Sequence, residues 1–129
     1  MTAQTLPEIS DIVLDDGIAV FRLSQAASLQ SAIQSIAGAI AQAYARRHWK
    51  LMIVIGAAPG VEAPSVAMRA SMVRQWAEAA RGTVATALVC APQFIDPHKF
   101  GVIMAANFGM VANVFVDEGA AREWLLQQK

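Results

Sequence analysis

Five consecutive apolar residues, Leu51-Met52-Ile53-Val54-Ile55, stand between Lys50 and Gly56. A short unbroken run of this kind suits a strand covered on both faces, as in the middle of a parallel sheet. The segments beside it carry a different period. Upstream, Leu29, Ile33, Ile36, Ile40 and Tyr44 recur at steps of four, three, four and four, which is one stripe of an α-helix. A strand between helical segments makes this an α/β chain.

Elements on either side extend the pattern. Ile12-Val13-Leu14 and the run 18–23 are β-branched and aromatic stretches separated by Asp15-Asp16-Gly17. An Asp-Gly step accommodates the positive φ of a tight hairpin turn. Ser24 or Ser28 is placed to cap the first helix, and Arg46, Arg47 and His48 close it where cations complement the dipole. After the glycine- and proline-rich loop 56–64, Ser65 caps a second helix to about Arg81. Val66, Arg69 through its stem, Val73, Trp76 and Ala80 trace its inner face, and Gly82 stops it.

A third apolar strand spans 84–91. Asp96-Pro97 is a helix start, with a carboxylate at the cap and proline at the first helical position, and that helix runs over 97–108. A last strand follows at 111–116. Asp117 then caps a closing helix in which Ala120, Ala121, Trp124 and Leu125 face inward. The order is β-β-α-β-α-β-α-β-α. Helices between successive strands imply right-handed crossovers and a mixed, mostly parallel sheet, with helices packed mainly on one face.

The chain has 129 residues, one domain's worth spanning 1–129, and is 56% hydrophobic and 16% charged. Typical domains are about 45–50% apolar and about 25% charged, so the composition excludes a disordered chain. Ten basic residues balance ten acidic ones, and no net field draws in nucleic acid or an anionic membrane. The single cysteine, Cys90, excludes an internal disulfide. Met1-Thr2-Ala3-Gln4-Thr5 has no basic region followed by an apolar stretch, so a secretory signal is not expected and a reducing cytoplasm is. The residues 100–116 carry no charge, but they are shorter than the ~20 needed to span a bilayer and contain Gly101, Asn107, Gly109 and Asn113, which argues against stable membrane insertion.

Few residues carry chemistry. The loop 56–60 lacks the Gly-Lys-Ser/Thr of a phosphate-binding loop, and no cofactor is expected. Cys90, Asp96 and His98 lie within nine residues. Cys90 belongs to an apolar strand and Asp96 is explained as a cap, so a cysteine hydrolase is not expected. His48 and His98 have no partner at ligand spacing, which argues against a metal. Arg46, Arg47, His48 and Lys50 with Trp49 form one small basic patch, insufficient for nucleic acid in a neutral chain.

The order of elements resembles the STAS domain, and the residues are most similar to the SpoIIAA-like (STAS-like) family of small bacterial proteins. The likeness is closest at the C-terminus, in Val114-Phe115-Val116-Asp117-Glu118-Gly119-Ala120-Ala121-Arg122-Glu123-Trp124-Leu125. There a strand ends in an aromatic pattern, followed by an acidic turn and an Ala-Trp-Leu helix. The opening Asp-Gly-Ile-Ala-Val-Phe-Arg-Leu and the strand 51–55 fit the same scheme. The resemblance implies that Trp124 anchors the core. In signalling members an Asp-Ser pair precedes the corresponding second helix and the serine is phosphorylated. Here the place reads Ala63-Pro64-Ser65, so Ser65 is a candidate phosphosite without its acidic neighbour. The resemblance implies either a regulatory protein-interaction module of the anti-sigma-factor-antagonist type or a non-catalytic carrier of small apolar molecules.

The helix 97–108 favours the second of these. After Lys99 it reads Phe100-Gly101-Val102-Ile103-Met104-Ala105-Ala106-Asn107-Phe108, apolar nearly all round, whereas a surface helix keeps one side polar. Met68, Met72 and Trp76 of the second helix with Phe100, Ile103, Met104 and Phe108 are expected to line a cleft for a nonpolar molecule or to form a homodimer contact.

Overall fold

Asp16 and Gly17, at φ 58° and 84°, reverse the chain in a two-residue turn between β1 (Ile12–Asp15) and β2 (Ile18–Leu23). Positive φ at both central positions matches the right-handed twist of the flanking strands. The computed structural model describes residues 12–23, 28–56 and 62–128. Ser24 and loop residues 57–61, like Met1–Thr5, lie outside the described residues.

Beyond the hairpin the elements run α1 (Leu29–Ala45), β3 (Lys50–Ile55), α2 (Val66–Ala80), β4 (Ala85–Val89), α3 (Phe100–Asn107), β5 (Ala112–Phe115) and α4 (Glu118–Leu126). A short 3-10 turn, Pro92–Phe94, follows β4. The five strands lie side by side in chain order. β1 is antiparallel to β2, and β2 through β5 are parallel, with Phe21 beside Ile53 and Ile53 beside Leu88. The expected α/β class and mixed, mostly parallel sheet are present.

Alternation along each strand sorts the core into two layers. Ala19, Phe21, Leu51 and Ile53 pack with residues of α1, α2 and α3. Their neighbours Ile18, Val20, Met52, Ala85, Ala87 and Val89 pack with Ala121 and Leu125 of α4. Three helices cover one face and one short helix covers the other, so the strands are apolar on both sides.

Local chemistry sets most helix ends. Ser28 and Ser31 exchange side chain-to-backbone bonds at 3.1 Å, which opens α1 as a capping box. Ser65 Oγ accepts from the Met68 N–H at 3.1 Å. Arg81 and Gly82 end α2 at φ 52° and 74°. Asp117 Oδ2 accepts from the Ala120 N–H at 2.8 Å and starts α4. Two ion pairs tie α4 to the hairpin: Arg22 grips Glu118 at 2.8 and 3.0 Å, and Arg122 meets Asp15 at 2.9 Å.

Three expectations change. The third helix begins at Phe100 rather than Pro97, because Asp96 Oδ2 accepts from the N–H groups of both His98 (3.1 Å) and Phe100 (2.9 Å), making a separate turn. Lys99 joins turn to helix in the left-handed region, at φ 53°. On α2, Val66 is exposed, and the buried stripe is Met72, Val73, Trp76, Ala77 and Ala80. On α4, Ala121 and Leu125 are buried, Ala120 is exposed and Trp124 is half-buried. A nine-residue helix offers only a narrow inward stripe, and Trp124 lies at its side against Phe115, ring centroids 5.9 Å apart.

No helix of the described residues is long and apolar enough to cross a membrane.

Candidate functional site

Packing of α1, α2 and α3 on the sheet is incomplete. Between them and strands β3 to β5 lies a partly open cavity of about 120 Å³. Its walls descend from strand parity. Ile53 and Ile55 of β3, Thr86 and Leu88 of β4, and Ala112 and Val114 of β5 line it with Cys90, which follows β4. α1 contributes Ile33 and Ile36, α2 contributes Met72, Val73 and Trp76, and α3 contributes Gly101, Val102 and Ala105.

The lining is almost wholly aliphatic, aromatic or sulfur-bearing. Its polar lining residues are Thr86 and Asn113 on the strands, and Arg69, Asp96 and Lys99 where the first turn of α2 meets the segment between β4 and α3. Arg69 is half-buried there, and its two terminal guanidinium nitrogens both point at the Phe94 carbonyl oxygen at 3.4 Å. Asp96 also borders the cavity, but one of its carboxylate oxygens already accepts two backbone N–H groups. Lys99 also lines the cavity, and its ammonium donates to Asn113 Oδ1 at 3.2 Å and lies over the Phe115 ring at 6.0 Å.

Of the seven residues expected to form a cleft, Met72 and Trp76 line this cavity. Met68 and Met104 are half-buried against the main core. Phe100, Ile103 and Phe108 lie on the outer side of α3, with Ile103 53% exposed and Arg74 over the Phe108 ring at 5.5 Å. The cause is the helix itself. α3 is apolar on every side, so its sequence carries no stripe to say which side faces in. The small residues do: Gly101 and Ala105 allow close approach to α2 and the sheet, and Ala105 is its one buried residue.

Nothing local in the sequence marks Arg69 as a charge at this site, and Thr86, Leu88 and Cys90 stand out as a wall only through their spacing. The period of two through 86, 88 and 90 was the available signal.

No family model matches this chain, and neither does any curated protein or solved structure.

The remaining candidates fall elsewhere. Ser65 is exposed at the start of α2, its hydroxyl engaged with Met68. Cys90 is buried, and burial pushes its thiol up to about 11 despite the nearby Arg69 charge. A protonated thiol is a weak nucleophile. His48 precedes β3 and His98 follows β4, so they stand at opposite ends of the parallel strands. Trp49 of the basic patch meets Tyr44 edge-on, centroids 6.1 Å apart, and Arg81 covers the other ring of that pair, Tyr44, at 5.1 Å.

Proposed function

We propose that this chain is a STAS-like, non-catalytic protein that binds or carries a small apolar molecule between its helical layer and its sheet. The observation that carries the reading is the cavity of about 120 Å³ with walls of Ile, Leu, Val, Met and Trp. Cores close-pack and seldom leave voids larger than a water, whereas an apolar cavity near 150 Å³ stays dry and takes up benzene. The β-β-α-β-α-β-α-β-α order supports the STAS likeness. The titratable groups at the cavity do not supply catalysis in this reading: Cys90 is held protonated, and Asp96 is engaged with backbone N–H groups.

The reading is tested by calorimetric titration of benzene into wild type, Ala105→Leu, which reduces the cavity, and Ile103→Asp, which alters only the outer side of α3. Benzene binding lost in Ala105→Leu and kept in Ile103→Asp supports the cavity. The opposite pattern places binding on the outer side of α3 and overturns it.

A second reading keeps a foothold in the exposed Phe100, Ile103 and Phe108. As a regulatory module, the domain would present this side of α3 to a protein partner or a second copy, with Ser65 as the switch. Sedimentation of wild type and Ile103→Asp distinguishes it, since an assembly that dissociates in the variant favours the interface.

A further inference from the structure

Arg69 and Lys99 are the two cations that line the cavity among the described residues; the Lys99 ammonium is given to Asn113 Oδ1 and the Phe115 ring, whereas the partners of Arg69 do not match it. A guanidinium offers five N–H donors in a planar fork. Here two nitrogens share a single carbonyl oxygen, that of Phe94, at 3.4 Å. That is the long limit for a hydrogen bond. Both ion pairs among the described residues are made by other arginines, Arg22 and Arg122. Arg69 is also half-buried, so water cannot fully replace what the protein withholds.

Most of the remaining lining is apolar. Ile33, Ile36, Ile53, Met72 and Trp76 offer no donor or acceptor toward a ligand, since the Trp76 indole N–H is already given to the Ile33 carbonyl oxygen at 3.1 Å. With Asp96 engaged by backbone N–H groups and Lys99 by Asn113, Arg69 is the under-partnered charge of a largely apolar slot, which is complementary to a molecule with an apolar body and an anionic head.

We propose that the ligand is an amphipathic carboxylate, a short aliphatic or aryl acid whose apolar body fills the cavity and whose carboxylate takes the Arg69 fork. The proposal rests on the cavity-binding function above and adds the head group. Arg–carboxylate pairs are commonly bidentate and roughly twice as strong as neutral hydrogen bonds. The cavity limits the body to about the size of a benzene ring or a short chain.

Calorimetric titration of wild type with hexanoate, hexanol and hexylammonium tests it, because the three share one tail. Hexanoate is expected to bind at least about tenfold more tightly than hexanol, in line with a charge-assisted pair, and hexylammonium more weakly than either. In Arg69→Met, hexanoate should fall to the level of hexanol while hexanol binding is kept. Hexanol and hexanoate binding equally well to wild type would overturn the carboxylate assignment and leave the cavity function standing. No binding of any of the three overturns both. The wild-type comparison decides the matter even if Arg69→Met fails to fold.

Discussion

The indole N–H of Trp76 donates to the carbonyl oxygen of Ile33 at 3.1 Å, joining α2 to the second turn of α1 beside the cavity. Trp76 thus closes the two-helix contact with a directional bond and lines the binding space with its ring. Trp76→Phe should destabilise by about 1–2 kcal/mol, from the lost bond and a small volume defect. Trp76→Ala should lose about 3–5 kcal/mol. Urea unfolding gives both values, and equal losses would mean that the ring adds nothing beyond its hydrogen bond.

Ser65 is expected to act on α2 as a cap. Ser65→Ala should lose about 1 kcal/mol, whereas Ser65→Asp should be neutral, because aspartate accepts from the same N–H and suits the helix dipole. Equal losses in the two variants would show that the Met68 bond contributes nothing.

Trp124 is half-buried, packed on Phe115 rather than sealed in the core. Trp124→Ala should therefore fall short of the 3–5 kcal/mol typical of a large buried aromatic, at about 2 kcal/mol. A loss near 4 kcal/mol in thermal or denaturant unfolding would mean that the ring is enclosed in solution.

These three side chains also separate what was legible in the sequence from what was not. The Asp16-Gly17 turn, the α1 stripe through Ile33, Ile36 and Ile40, and the caps Ser65 and Asp117 each follow from local chemistry a few residues long. They stand where the sequence places them. Trp124 was placed by resemblance, and its partial exposure depends on the width of a two-turn contact that no local pattern encodes. The cavity is less local still, with walls from Leu29 to Val114. Its existence depends on the volume left when three helices settle on a sheet. The charge-free stretch did point to an unusual region, but α3 lacks a polar side to orient it.

Cys90 gives a pH-dependent prediction. Burial raises its folded-state pKa to about 11, above the unfolded value of about 8.5. The unfolded chain therefore releases the thiol proton first. The contribution is fully present below about pH 8.5 and is lost as pH rises toward about 11. Wild type should weaken across that window more than Cys90→Ala in parallel urea titrations. Native Cys90 should also resist iodoacetamide at pH 8, and rapid alkylation without unfolding would contradict its burial.

Gly38 occupies the middle of α1, is exposed, and would place an added Cβ in open space. Gly38→Ala should stabilise by about 1 kcal/mol, since alanine lowers the entropy of the unfolded chain and favours helix. A rise in the urea midpoint without a change in slope is the expected signature.

The division of labour between the faces has a consequence for how the chain matures. Each strand joins the one made just before it, so the sheet accretes in the direction of synthesis and three helices can close its first face as they emerge. The second face, with Ile18, Val20, Met52, Ala85, Ala87 and Val89, waits for α4, the last element in chain order. Until that short helix docks and Arg22 and Arg122 clasp it, the nascent domain presents a broad apolar plate to the cell. Chaperone demand should therefore concentrate before α4 emerges, and lesions in α4 should act through aggregation and turnover before they touch anything the folded cavity does.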